Sequence, residues 1–228
     1  MHELEFRSGA IKPVECLKEA WALIKDDYWL LFGISIIGAM IAGLTLYVLF
    51  GAMVCGIFGC YLKKIDGGEV KFEDLWKGMR FLVPSIPIVL LFLIPIIAYV
   101  AAAFFTLYSP LIALAAMGED VDPSVIYGTF AAAIAIDIVI AVVMTIIHSL
   151  IIFAFPLMVD RGINAIDAVK LSFRAVVRNI GGIGGLILVS FAIVLLGQIA
   201  LCIGVYFIIP VLTATNLVAY RKVFPKLT

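Results

Sequence analysis

The chain has 228 residues, 64% of them hydrophobic and 14% charged, with a mean hydropathy of +1.20. Sixteen Lys and Arg offset sixteen Asp and Glu, so the formal net charge is zero. Soluble domains contain about 45–50% apolar and about 25% charged residues, so this composition excludes a water-soluble globule and, equally, a disordered chain. The fold class it implies is all-α, a polytopic helical membrane protein, read as one integral membrane domain over residues 1–228.

Residues 1–28 mix charged and polar side chains. They lack a basic stretch followed by a short apolar core and a small-residue cleavage site. No removable signal is expected there, and the first apolar run is expected to act as an uncleaved anchor. Pro13 suits the first position of a helix, on which Val14, Leu17, Trp21, Ile24 and Tyr28 form an apolar stripe.

Apolar runs follow at 29–62, 81–118, 123–159 and 179–220, with Asp137 the one formal charge inside them. A straight crossing of a bilayer core of roughly 30 Å takes about 20 residues, so each run is long enough for one crossing and hydropathy alone leaves the number open. The cations decide it. They fall in the N-terminal segment, the 63–80 connection, the 160–179 connection and the tail from Arg221, whereas 119–122 holds Glu119, Asp120 and Asp122 and no cation.

Positive segments stay inside. Parity then gives two crossings in 29–62, one each in 81–118 and 123–159, and two in 179–220. Six segments cross and both termini are cytoplasmic. Gly51 marks the break in the first run, and Gly204 with Pro210 flank that in the last. The second arms, 51–65 and 206–221, reach only about 22–24 Å as helix. Pro95 and Pro110 are placed to kink the run at 81–118. Trp21, Trp29 and Trp76 fall at the inner end and Tyr47, Tyr108, Tyr127 and Tyr206 at the outer, as interfacial belts do.

Two more cytoplasmic segments are amphipathic. In one, Phe72, Leu75, Trp76 and Met79 oppose Glu73, Asp74, Lys77 and Arg80. The other starts at Asn164 as N-cap, with Asp167 three residues on; Ile166, Val169, Phe173, Val176, Val177 and Ile180 face away from Lys170, Arg174 and Arg178. All three amphipathic helices are expected to lie on the inner leaflet, with basic residues near anionic headgroups, the alternative being a docking surface for a partner protein. A weak internal echo relates 13–65 to 164–222, each an amphipathic helix followed by a hairpin.

Asp137 is the most unusual residue, because an ionisable group within a span is costly and points to function by default. His148 lies roughly 16 Å further along the same helical stripe at 125–157. The two form a candidate intramembrane polar site, read either as lining a translocation path or as bonding neighbouring helices. Gln198 and Asn216 are weaker candidates, with interhelical bonding the stronger reading for both. Gly51, Cys55 and Gly59, and Ala52, Gly56 and Cys60, make two small-residue faces suited to close helix packing. Cys16, Cys55, Cys60 and Cys202 have no metal or disulfide spacing and read as packing residues. No HExxH, GxSxG or phosphate-loop motif is present, so no catalytic, cofactor-binding or metal residue is assigned and no cofactor is expected.

The stretch from Phe153 to Phe224, with FAFPLMVDRGINAIDAVKLSFRAVVRNIGGIGGLILVS and then Pro210, Ala219 and Tyr220, resembles the membrane domain of glycerophosphoryl diester phosphodiesterase membrane-region proteins and related uncharacterised polytopic families. Pro156, Asp160, Ala168, Ser172, Arg178 and Asn179 carry the likeness. It implies a multi-spanning prokaryotic membrane protein without a defined reaction. The soluble phosphodiesterase domain that sometimes accompanies this region is not seen in the sequence, and its activity is not carried over.

The sequence therefore points to a multi-pass protein of the prokaryotic plasma membrane, not an enzyme, serving as an envelope or complex component. The alternative is a small transporter or lipid-handling protein using the polar stripe. The expected partners are membrane lipids, anionic headgroups at the cytoplasmic face, and a protein partner or second copy. Nucleic acid is not expected, because the basic residues are interleaved with acids.

Overall fold

The structure is a computed structural model that describes residues 6–117, 122–199 and 204–226. The described residues contain nine α-helices and no strand: α1 Pro13–Ile24, α2 Tyr28–Leu44, α3 Phe50–Ile65, α4 Ile86–Met117, α5 Pro123–Leu150, α6 Ala154–Arg161, α7 Ala165–Arg178, α8 Ile180–Ile199 and α9 Gly204–Val223. A 3₁₀ turn, Lys25–Asp27, joins α1 to α2, and a 3₁₀ helix, Phe72–Phe81, lies between α3 and α4. Five stretches are long and apolar enough to cross a membrane: Pro13–Leu44, Ile86–Ala116, Ser124–Arg161, Ile180–Gln198 and Gly204–Val223. The chain is an all-α, multi-pass membrane protein. The second arm of the first predicted hairpin, α3, has 16 residues and a length of about 24 Å. The last arm, α9, has 20 residues and about 30 Å, longer than its expected span.

The chain divides into two compact units, Met1–Val89 with Leu150–Thr228, and Leu90–Ser149. In the first, α3 and α9 occupy the centre. The 3₁₀ helix, α2 and α6 pack on α3, while α1, α2 and α8 pack on α9. The second unit comprises most of α4 and α5, and α4 runs through Pro95 and Pro110 as one helix. The elements α1–α2–α3 and α7–α8–α9 repeat the same order, an amphipathic helix followed by two apolar ones.

Local signals explain several element boundaries. Pro13 starts α1. The Asn164 side chain caps α7 by accepting from the Asp167 backbone N–H at 2.9 Å, while Gly162 ends α6 in the left-handed region at φ 63°. Gly51, predicted to break the first run, instead lies in the first turn of α3. The reversal is made at Leu46 and Tyr47, both with positive φ. Gly51 serves close approach: a Cβ there would stand 2.0 Å from Ser85 Oγ.

The amphipathic segments pack differently from their apolar stripes. In α1 the buried face is Cys16, Ala20 and Ile24, while Val14 and Trp21 are exposed. In α7 it is Ala165, Ala168, Ser172, Ala175 and Val176, while Ile166, Phe173 and Val177, and Ile180 at the start of α8, are exposed. The segment 72–81 is a 3₁₀ helix, not an α-helix. Three residues per turn separate Leu75, which is buried, from Trp76 and Met79, which are not. On α1 and α7 the buried face is thus mostly of small residues, and several of the large apolar ones face outward. Lipid tails are as apolar as Leu, so only close packing draws helices together, and small side chains permit it.

Candidate functional site

Asp137 and His148 both lie on α5 and are three turns apart, so the helix does not bring them together. Each reaches α4 instead. Asp137 Oδ1 is 2.8 Å from Thr106 Oγ1, which also lies 3.1 Å from the Ala103 carbonyl, so the single hydroxyl proton serves one of two acceptors at a time. His148 Nε2 is 3.0 Å from the Phe92 carbonyl and Nδ1 is 2.8 Å from that of Met144, one turn back on α5. Each neutral tautomer can satisfy one of these carbonyls. The Phe92 ring meets the imidazole edge-on, with centroids 4.5 Å apart. The polar stripe therefore links α5 to α4 at two heights.

The weaker candidates separate. Gln198 is exposed near the end of α8. Asn216 is half-buried on α9 and lines, with Ser190, a largely apolar cavity of about 300 Å³ beside α8. Cys16, Cys55 and Cys60 are buried free thiols, and Cys202, Glu119 and Asp120 lie outside the described residues.

The densest polar chemistry lies elsewhere, where α3, the 3₁₀ helix, α6 and α9 meet. Arg221 on α9 holds two carboxylates at once. Its Nη1 and Nη2 are each 2.6 Å from an Asp160 oxygen, and its Nε and Nη2 are 3.0 and 2.8 Å from Asp66. Such a fork-to-carboxylate geometry is the strong form of ion pair. The Tyr220 hydroxyl donates to Asp160 at 2.7 Å. Arg161 Nε lies 2.9 Å from the same carboxylate, close enough for attraction but not aligned as a hydrogen bond, while its Nη2 donates to the Pro225 carbonyl.

A second knot centres on Asp74, which accepts from Lys63 Nζ at 2.8 Å, Lys77 Nζ at 2.6 Å and the Lys71 backbone N–H at 2.9 Å. The Lys63 and Lys77 ammonium groups hold its carboxyl well below the usual carboxylate range. Between the two knots lies a cavity of about 240 Å³, onto which Arg80 also opens.

Three of the residues compared above with that membrane domain, Asp160, Ser172 and Asn179, make structural contacts here. Ser172, fully buried, donates to the Leu150 carbonyl at 3.0 Å and accepts from the Phe153 N–H at 3.1 Å, satisfying the backbone where α5 gives way to α6. Asn179 donates to the Arg7 and Ala175 carbonyls and accepts from the Ala10 N–H, fixing the segment that leads into α1. Asp160 belongs to the Arg221 knot. The Arg221 knot is not visible in the sequence because Asp66 and Arg221 are 155 residues apart. The available signal was an acid ending one apolar run, at Asp160, and a base ending another, at Arg221. Compared with protein-family models, curated proteins and solved structures, the chain finds no match.

Proposed function

We propose that this chain is a non-enzymatic component of a prokaryotic plasma membrane, acting in envelope organisation or as the membrane partner in a complex. Six segments cross, and both termini are cytoplasmic. The confinement of every cation to four connecting or terminal segments supports that orientation, with acids alone at 119–122. The likeness of residues 153–224 to the phosphodiesterase-associated membrane domain supports the prokaryotic setting.

The observation that carries the reading is the use made of Asp137 and His148. Their bonds run to Thr106 and Phe92 on α4 and to Met144 on α5 itself, so these two groups bond within the second unit and link its two helices. Its outer surface, including Phe105, Val139 and Val143, is left apolar and exposed, ready for lipid or another membrane protein. A photo-crosslinking side chain placed at Val139 in living cells tests this. A discrete protein adduct is expected, and adducts with lipid alone overturn the complex role. In proteoliposomes, proton flux that Asp137→Asn abolishes would replace this reading with the transporter.

A further inference from the structure

The 3₁₀ helix Phe72–Phe81 has three faces because its side chains eclipse every third residue. Leu75 and Gly78 form the face buried on α3. Trp76 and Met79 form a second, with 47% and 38% of their surface exposed. Asp74, Lys77 and Arg80 form the third, and all three line the cavity of about 240 Å³.

The charges of that cavity do not balance. Lys63 and Lys77 are spent on Asp74, and Arg221 on Asp66 and Asp160. Arg80 has no carboxylate partner among the described residues; its guanidinium lies 4.6 Å from the Phe81 ring centre and is exposed at the opening. An uncommitted planar fork beside a polar cavity favours an anion that can take two parallel N–H bonds, which describes a phosphate oxygen pair. The exposed Trp and Met on the adjacent face place this opening where interfacial side chains sit, at headgroup depth.

We propose that this cavity binds the phosphodiester of an anionic phospholipid headgroup, with Arg80 as its ligand. Asp66 and Asp160 line the same cavity, but Arg221 already holds both. The proposal rests on the membrane placement above but not on the scaffold role, which the Val139 adducts test separately.

The full chain, delipidated in detergent, is titrated with phosphatidylglycerol, with phosphatidylcholine and with inorganic phosphate, and bound lipid is read by native mass spectrometry. Phosphatidylglycerol should bind as a discrete adduct, more tightly than phosphatidylcholine. Arg80→Gln should weaken it about tenfold or more, the loss of a charge-assisted bond. Arg80→Lys, keeping the charge without the fork, should fall between. Arg174→Gln, on exposed α7, is the control for general charge, and thermal unfolding verifies that each variant is folded. Unchanged binding in Arg80→Gln, or an equal loss in Arg174→Gln, overturns the site. Displacement of the lipid by inorganic phosphate at comparable concentration reassigns it to free phosphate and overturns the lipid claim.

Discussion

Gly56 and Gly78 set how closely α3 and the 3₁₀ helix approach. A Cβ on Gly78 would stand 2.1 Å from the Ala52 carbonyl oxygen and 2.6 Å from Gly56 Cα, and one on Gly56 would stand 2.1 Å from the Leu75 carbonyl oxygen. These obstacles are backbone and cannot rotate away. Gly78→Ala should destabilise the fold by about 3 kcal/mol, the upper part of the overpacking range. Gly59 shares the small-residue spacing but meets only Val159 Cγ1, at 3.7 Å. Gly59→Ala should stay within about 0.5 kcal/mol of the parent. Denaturant titration in detergent separates the two, and equal losses would show that α3 packs through both faces. Arg221 makes a complementary case. Replacing it with Met keeps much of its volume but removes the cation that joins two half-buried carboxylates, Asp66 and Asp160. The expected cost is about 2–3 kcal/mol, below that of a fully stranded buried charge, because Arg161 and Tyr220 still meet Asp160 and Lys226 lies 3.8 Å from Asp66. Adding Asp160→Asn should recover part of it.

The connection from Phe72 to Phe81 shows why periodicity can find an element and still misplace its faces. Phe72, Leu75, Trp76 and Met79 fit an α-helical stripe, and the segment is helical and amphipathic as expected. The close approach to Gly56 and the anchoring of Asp74 by Lys63, Lys77 and the Lys71 N–H draw it into a tighter coil, which turns Trp76 away from Leu75. The Asn164 cap and the Pro13 start were legible because both act within a few residues. The packing faces of α1 and α7 were not, because hydropathy ranks Ile and Phe above Ala and Ser whereas lipid rewards neither inside the protein. Asp74 supplies a test of the tighter coil. Its folded pKa lies below the ordinary carboxylate value of about 4, so its stabilisation is complete above that value and fades as pH falls below it. Thermal unfolding temperature should therefore drop on acidification below about pH 4. In Asp74→Asn it should start lower at neutral pH and show a shallower acid decline. Parallel curves for the two proteins would mean that the Lys63–Asp74–Lys77 knot contributes nothing to stability.

Under the proposed six-crossing orientation zero net charge becomes an oriented layout, and its weakest link is α3, which is not among the five stretches long and apolar enough to cross. At 16 residues it reaches about 24 Å, short of a hydrocarbon core of roughly 30 Å, yet parity requires it to return the chain to the cytoplasmic side. Its surroundings reduce that deficit. Half of its residues are buried, and its neighbours are α2, the 3₁₀ helix, α6 and α9, so most of its length meets protein rather than lipid. Mismatch strain acts on surface in contact with lipid, and a helix sheathed by others can be short without thinning the bilayer. The paired cations Lys63 and Lys64 at its end are then anchored by Asp74 and Asp27 at the interface. Single cysteines at Lys71, Asp122 and Lys170, in a chain with its native cysteines replaced by Ala, make the consequence measurable with a membrane-impermeant maleimide. Asp122→Cys should label from outside intact cells, and Lys71→Cys and Lys170→Cys only after the membrane is opened. Outside labelling at 71 would show that α3 re-enters and does not cross. Labelling of 122 and 170 from the same side would overturn the six-crossing arrangement.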